Sequence, residues 1–262
     1  MNILVCVKQV PGSSDVEVDP VTGVLKREGI RAKLNPYDLF AIETALSLRE
    51  KYGGTVRALT MGPPQAKTAL LETIWMGADS GVLLTDRAFG GADCLATSYA
   101  LSQAVRKMAP FDLILCGKQT TDGDTAQVGS ELSEELGIPN IGNAVKIETG
   151  EDGYLTVTQN LDDRIVTAAI PMPCLVCTDA EINTPRLPSY RRSKAVAPDA
   201  VKVLTFADMD DQDRNHYGLH GSATNVERIF PPEKNKDRRT LTGTAAELAD
   251  GIGGILKQRK FI

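Results

Sequence analysis

The chain has 262 residues, 42% of them hydrophobic and 24% charged, which allows one large domain or a domain with an extension. A formal net charge of -5 and an aromatic content of only 5% argue against a nucleic-acid surface. No apolar run approaches the roughly 18 residues of a membrane span, so no membrane insertion is expected.

The N-terminal MNILVCVKQV lacks a basic segment followed by a long apolar one, and reads as the first strand. No signal or transit peptide is therefore expected, and the location is expected to be cytoplasmic. Residues 3–9 are a continuous apolar run suited to a parallel strand covered on both faces. A Pro-Gly-rich loop follows. In NPYDLFAIETALSLREKYGG, Asn35 is a candidate N-cap, Pro36 suits the first helical position and Gly53 stops the helix. VRALTMG reads as a strand, PPQAKTALLETIWMGA as a helix and SGVLLTD as a strand. GADCLATSYALSQAVRKMA reads as a helix whose apolar stripe runs through Leu95, Ala96, Tyr99, Ala100 and Val105. FDLILCG is a strand, and TAQVGSELSEELG is a helix ended by Gly137. This alternation predicts an α/β fold, with a mostly parallel doubly wound sheet and helices on both faces.

Beyond Gly142 the pattern changes. NAVKIETG, EDGYLTVTQN and DRIVTAAIP read as short strands forming an antiparallel addition, and LVCTDA returns to the main sheet. Residues 187–262 hold few apolar clusters, so they read as an extended arm, with a helix near TAAELADGIGGILKQR, that needs another surface. The expected division is an α/β nucleotide-binding domain at 1–186 and an arm at 187–262. The five cysteines are irregularly spaced and expected to be reduced thiols. Cys174 and Cys177 form one CxxC, but on a buried strand they point to opposite faces and make a poor chelate, so no metal site is expected. His216 and His220, the two histidines, lie outside the motif-bearing part and read as incidental.

The stretch LCGKQTTDGDTAQVG has the most chemistry in it. In open parallel sheets, ligands bind beyond the carboxyl ends of the strands, and free N–H groups at a helix start attract a phosphate. Asp124 and Gln127 have capping-box spacing, so Asp124 is expected to hold the helix start. Asp122 would repel a phosphate and is better used on loop N–H groups or ribose hydroxyls. The turn is neither a P-loop nor a dinucleotide fingerprint, so Walker-type hydrolysis is unsupported. DRAFGGADCLATS offers a second glycine pair before a helix, with Asp93 as a candidate cap.

NILVCVKQVP, LNPYDLFAIETAL, TMGPPQA, DRAFGGADCLATS and LCGKQTTDGDTAQVG occur in the order seen in the beta (small) subunit of electron-transfer flavoproteins. The resemblance covers roughly residues 1–186. It is closest to the bacterial kind that performs flavin-based electron bifurcation, which carries a DRAFGGAD-type segment and a GDTAQVG ending. Single-flavin members hold AMP in this subunit, whereas the bifurcating kind holds a second FAD there.

The resemblance implies that Cys6 and Lys8 line the adenosine end, with Asn35, Pro36, Tyr37, Asp38 and Met61 beside adenine and ribose. It places Gly117, Lys118, Gln119, Asp122, Gly123, Asp124, Thr125, Ala126, Gln127 and Val128 around the phosphates. In the bifurcating kind, Phe89, Gly90, Gly91, Asp93, Cys94 and Thr97 would lie near the flavin ring and the approaching NADH. INTPRLPSYRRSKA resembles the family's recognition loop, which docks on a dehydrogenase through an exposed leucine. Tyr190 stands where that leucine is expected, Leu187 is a second candidate anchor, and Arg191, Arg192 and Lys194 would meet an acidic rim. The implied function is electron transfer from NADH through FAD, split between a partner dehydrogenase and ferredoxin or flavodoxin. The dehydrogenase is of the acyl-CoA or 2-hydroxyacid type, and an alpha (large) subunit completes the heterodimer. Two alternatives stay open: a single-FAD carrier holding AMP in this subunit, and a non-redox nucleotide-binding regulator.

Overall fold

The computed structural model describes residues 1–12, 32–150, 153–197, 199–227 and 238–262. Most of the Pro-Gly-rich loop expected after the first strand lies outside them. The described residues fall into two compact units: residues 1–12 with 32–227, and residues 238–262.

The larger unit is an α/β fold built on one nine-stranded sheet. Its strands are β1 (Asn2–Cys6), β4 (Thr55–Met61), β5 (Ser80–Leu84), β6 (Leu113–Gly117), β7 (Asn140–Thr149), β8 (Tyr154–Leu161), β9 (Arg164–Pro171), β10 (Cys174–Thr178) and β11 (Val201–Leu204). The order across the sheet is β11-β5-β4-β1-β6-β10-β7-β8-β9. All pairs from β11 to β7 are parallel, and β7-β8-β9 is the antiparallel meander that the sequence pattern predicts. A small antiparallel pair, β2 (Gln9–Pro11) with β3 (Ala32–Leu34), follows β1, so the apolar run 3–9 is divided between two strands.

Helices cover both faces of the sheet. On one face, α1 (Pro36–Tyr52) and α2 (Lys67–Met76) pack Ala41, Ile42, Leu46 and Leu70 against Ile3, Val5, Leu113 and Leu115. On the other, α3 (Cys94–Met108) and α4 (Val128–Leu136) pack Ala100, Leu101, Val105 and Leu132 against Leu4, Ile114 and Leu175. Alternate strand residues thus go to alternate faces, and burying each large aliphatic side chain contributes roughly 1.5–3 kcal/mol. The CxxC obeys the same rule, with Cys174 in the first core and Cys177 against the second. Leu95 departs from its expected stripe. It is 45% exposed, whereas Ala96 beside it is buried.

The segment after residue 186 has more structure than its polar composition suggests. A short helix, α5 (Tyr190–Ala195), leads to β11, which extends the sheet beside β5. Next, Phe206 and Tyr217 enter the second core, and Tyr217 is fully buried among Phe89, Tyr99 and Phe206. A four-residue helix, α6 (Gly218–Gly221), follows. In the smaller unit, α7 (Ala245–Gln258) starts with a capping box between Thr244 and Glu247.

Candidate functional site

The sheet order reverses between β1 and β6: crossovers from β1 run toward β4, while β6 lies on its opposite side. That topological switch opens a crevice beyond the carboxyl ends of the two strands, where open α/β sheets bind ligands. Cys6 ends β1, with Lys8 just beyond it, and Gly117 ends β6, followed by Lys118 and Gln119. The residues named from separate motifs therefore meet here.

Asn35 and Asp38 join the two strand ends. Asp38 accepts from the Lys8 backbone N–H at 2.7 Å and from Asn35 Nδ2 at 2.9 Å. Asn35 Nδ2 also donates to the Gln119 carbonyl at 2.9 Å, and Asn35 Oδ1 accepts from the Thr121 N–H at 3.3 Å. Asn35 occupies the N-cap position before Pro36, but its side chain makes no cap bond to α1. It serves the crevice instead. Asp38 is only 5% exposed. Burial pushes its carboxyl up to about 7, against the pull of the Asn35 and Lys8 hydrogen bonds. A Cβ on Gly117 would lie 2.5 Å from Asp38 Oδ1 and 2.7 Å from the Tyr37 carbonyl carbon, so only glycine fits there.

Between β6 and α4, residues Thr121–Gln127 are all exposed. Asp122 accepts from the Gly123 N–H at 2.8 Å and from Lys8 Nζ at 2.8 Å, bracing the turn across the crevice. Partial burial opposes ionisation of Asp122, but Lys8 and the Thr120 hydroxyl outweigh it and hold the carboxyl below its ordinary range. Gln119 reaches Asp124 Oδ1 at 2.6 Å and Tyr37 Oη at 3.4 Å. Asp124 and Ala126 have φ of 52° and 55°. Backbone that alternates with the left-handed region is of the kind whose successive amides can form an anion-binding nest. Among the described residues, the amides of Thr125, Ala126 and Gln127 find no acceptor.

Two expectations need correction here. The helix starts at Val128 rather than Thr125, with Gln127 at its N-cap and no side-chain cap. Asp124 therefore does not cap it: its left-handed backbone and its bond to Gln119 commit it to the turn. Lys118 is engaged at the end of β10: its amide donates to the Thr178 carbonyl and its ammonium to Asp179 at 2.9 Å. Lys8 is the cation that reaches the turn.

The second glycine loop joins the same region through Cys94, whose thiol hydrogen-bonds Thr125 Oγ1 at 3.2 Å. Asp93 caps α3 by accepting from the Ala96 N–H at 3.0 Å. Thr97 lies in the first turn of α3, and its N–H donates to the Asp93 carbonyl. Gly91 has φ +75°, whereas the Phe89 ring is 5% exposed and faces inward onto Phe206 and Tyr217. Met61 ends β4 and packs against the second core. Cys6, Cys116 and Cys177 stand in register on β1, β6 and β10, and the Cys116 thiol together with burial pushes the Cys177 thiol well up.

On a separate surface, Leu187 is 87% and Tyr190 77% exposed, with Arg191 and Arg192 exposed beside them on α5. The root of this loop is tied to α1. Arg186 makes a forked ion pair with Glu43 (2.8 and 2.9 Å) and another with Glu50 (2.6 and 3.1 Å). Asn183 Nδ2 donates to the Phe40 carbonyl and to Thr44 Oγ1.

The sequence matches a family. The model described as "Electron transfer flavoprotein domain" matches residues 22–208. The chain belongs to the electron transfer flavoprotein family. Curated relatives place it among the beta subunits. It is 41% identical over 262 residues to an electron transfer flavoprotein subunit beta of Clostridium acetobutylicum, covering both chains completely. It is 39% identical over 264 residues, again covering both chains fully, to the caffeyl-CoA reductase-Etf complex subunit CarD of Acetobacterium woodii. To protein FixA of Bradyrhizobium diazoefficiens it is 38% identical over 258 residues, or 96% of this chain and 90% of that one. As in other beta subunits of electron transfer flavoproteins, its partner is an alpha subunit.

The residues that sequence reasoning passed over lie beyond residue 195. Asp211 accepts from Tyr99 Oη at 2.6 Å and pairs with His216 Nδ1 at 2.5 Å, so His216 is a built part of the fold. The Tyr99 and His216 bonds hold Asp211 down at about 2, and Asp211 in turn raises His216. No motif marks this group; only the spacing of Asp211 and His216 hints at it.

Proposed function

We propose that this chain is the small subunit of a bifurcating electron-transfer flavoprotein of the cytoplasm, with an FAD in the β1/β6 crevice. Electrons from NADH would be split between a partner dehydrogenase, of the acyl-CoA or 2-hydroxyacid type, and ferredoxin or flavodoxin. The observation that carries this reading is the exposed turn Thr121–Gln127, whose amides at Thr125–Gln127 are unengaged, following β6 where the sheet order reverses. Its fit to a dinucleotide rests on chemistry already present. Amides on the left-handed turn suit a diphosphate, and a Cβ at Gly123 would have only Thr120 Oγ1 nearby, at 3.8 Å, so the backbone is open to approach. The likeness to CarD, a subunit of a caffeyl-CoA reductase-Etf complex, supports a partner enzyme that acts on a CoA thioester.

When bound, the flavin supplies the redox chemistry, and the protein supplies orientation and electrostatics. In this chain the Thr125–Val128 amides would hold the phosphates. Asp122 and Asp124 brace the turn, and Lys8 supplies the positive charge at its edge. The Asn35–Asp38 pair fixes the spacing between the β1 and β6 ends, so the crevice is set before a ligand arrives. Gly90 and Gly91 are exposed beside Cys94, with Leu219 against the Cβ position of Gly91, and a planar nicotinamide would approach their open side. Leu187 and Tyr190 would dock the dehydrogenase, with Arg191 and Arg192 facing an acidic rim. The amphipathic α7, none of whose residues is buried, would pack on the alpha subunit.

Co-expression with the alpha subunit tests this directly. Two FAD per heterodimer, and bleaching of the flavin absorbance by NADH, are expected. One FAD plus AMP would favour the single-electron carrier, and a flavin-free complex the non-redox regulator. With the dehydrogenase in hand, Leu187→Ala and Tyr190→Ala should each raise the KM for that partner while flavin content stays constant.

A further inference from the structure

The glycine turn Phe89–Asp93 is held from outside by a segment more than a hundred residues further along the chain. Tyr217, fully buried, anchors that segment with ring centroids 5.6 Å from Phe89 and 5.4 Å from Tyr99. Gly218, at φ +55°, then presses against the turn: a Cβ there would meet the Ala88 carbonyl oxygen at 2.3 Å and the Gly90 oxygen at 2.8 Å. The Leu219 N–H donates to the Gly90 carbonyl at 3.1 Å. Ser222 Oγ accepts from the Asp93 N–H at 2.9 Å and donates to the Gly218 carbonyl at 2.8 Å. Asp93 completes the link. Its Oδ1 caps α3, while its Oδ2 accepts from both the N–H (2.9 Å) and the hydroxyl (3.0 Å) of Thr224. Both carboxylate oxygens are thus committed to protein donors. They hold Asp93 ionised below the ordinary carboxylate range despite some burial.

We propose that residues 217–224 are a positioning brace for the glycine turn, and that Gly218, Ser222 and Thr224 set how well the site accepts its nicotinamide donor. This rests on the proposed function for the assignment of the turn to the donor side. The physical basis is independent of it. A turn with two adjacent glycines has wide backbone freedom, and here that freedom is removed by side-chain and backbone bonds from one distant segment. If the turn is competent in only a fraction of molecules, the apparent affinity for the donor falls by that fraction, while bound donor reacts as before. The brace therefore belongs to KM rather than kcat.

The test uses the intact flavin-loaded heterodimer with Ser222→Ala, Thr224→Val and the conservative Thr224→Ser. Amide exchange over residues 89–93 is followed by mass spectrometry, and flavin reduction by NADH is measured in parallel. Ser222→Ala and Thr224→Val should speed exchange in the turn about tenfold and raise the KM for NADH about tenfold, with kcat within about twofold and flavin content unchanged. Thr224→Ser should restore both readouts. Unchanged exchange in the two disruptive variants would overturn the brace. Faster exchange with an unchanged KM, in a complex whose wild type NADH reduces, would overturn its role toward the donor. Joint loss of flavin and kcat would also contradict it. Wild-type complex that NADH fails to reduce would defeat the assignment of the turn itself, a result separable from all the others.

Discussion

Gly117→Ala is the sharpest structural perturbation of the crevice. The added methyl carbon would lie 2.5 Å from Asp38 Oδ1, 2.7 Å from the Tyr37 carbonyl carbon and 2.9 Å from the Asp38 amide nitrogen. Two of these atoms are backbone in the first turn of α1, and the third belongs to a buried carboxyl bonded to Lys8 and Asn35, so no flexible group can yield. Overpacking of this kind costs about 1–3 kcal/mol, and contact with fixed backbone puts it at the upper end. For a domain of this size, that lowers Tm by about 6–12 °C. Gly123→Ala is the matched control. Its methyl meets only Thr120 Oγ1 at 3.8 Å, so Tm should stay within about 2 °C while flavin retention falls. Thermal melting of the heterodimer after flavin removal, with flavin retention after desalting measured separately, reads both effects. A Gly117→Ala protein melting within 2 °C of wild type would refute the idea that β6 and α1 are locked together at this point.

Further outcomes follow from the ionisable groups. The Asp38 carboxyl, raised to about 7 from an ordinary value near 4, holds its proton to higher pH in the folded state than in the unfolded chain. Its contribution to stability is complete below about pH 4 and is lost by about pH 7, a change of at most about 4 kcal/mol. Asp38→Asn should flatten stability between pH 5 and 8 in urea titrations; an unaltered slope would contradict the assignment. The Asp211–His216 pair works within a different window. His216 is raised, so its contribution is full below its unfolded pKa and fades as pH rises through the folded one. Asp211, held at about 2, contributes above the ordinary carboxylate range and loses that only in strong acid. His216→Gln should remove the decline in melting temperature between pH 6 and 8, and identical profiles would show the pair to be inert. Arg186→Gln breaks the fork to Glu43 and Glu50. It should cost about 1–2 kcal/mol and speed limited proteolysis between residues 187 and 195, and an unchanged cleavage rate would show that the loop is held elsewhere.

The alternation of strand and helix was legible because the apolar runs of β1, β4, β5 and β6 are continuous and the helices carry clear stops such as Gly53 and Gly137. The antiparallel meander was legible from its turns. The start of α4 was not: TDGDTAQ satisfies a capping-box spacing, yet Asp124 and Ala126 take left-handed backbone and defer the helix to Val128. That choice leaves amides open for a ligand at a local conformational cost of about 1–2 kcal/mol per residue. That Asp38 also joins the strand ends was not legible, because its bonds to the Lys8 amide and Asn35 appear only once β1 and α1 are packed. β11 was missed because its four residues, VKVL, are strand only by virtue of the neighbouring β5. The brace at 217–224 has no periodicity at all; its glycine and hydroxyls gain meaning only once the Phe89–Asp93 turn is placed beside them.

The central claim is that the amides between β6 and α4 hold the diphosphate of a flavin. A crystal structure of the flavin-loaded heterodimer tests it most directly. The account predicts phosphate oxygens within hydrogen-bond distance of the Thr125–Val128 amides, with the adenosine end toward Lys8 and Asp38. A loaded complex in which solvent covers that turn and the dinucleotide lies along another part of the sheet would contradict it.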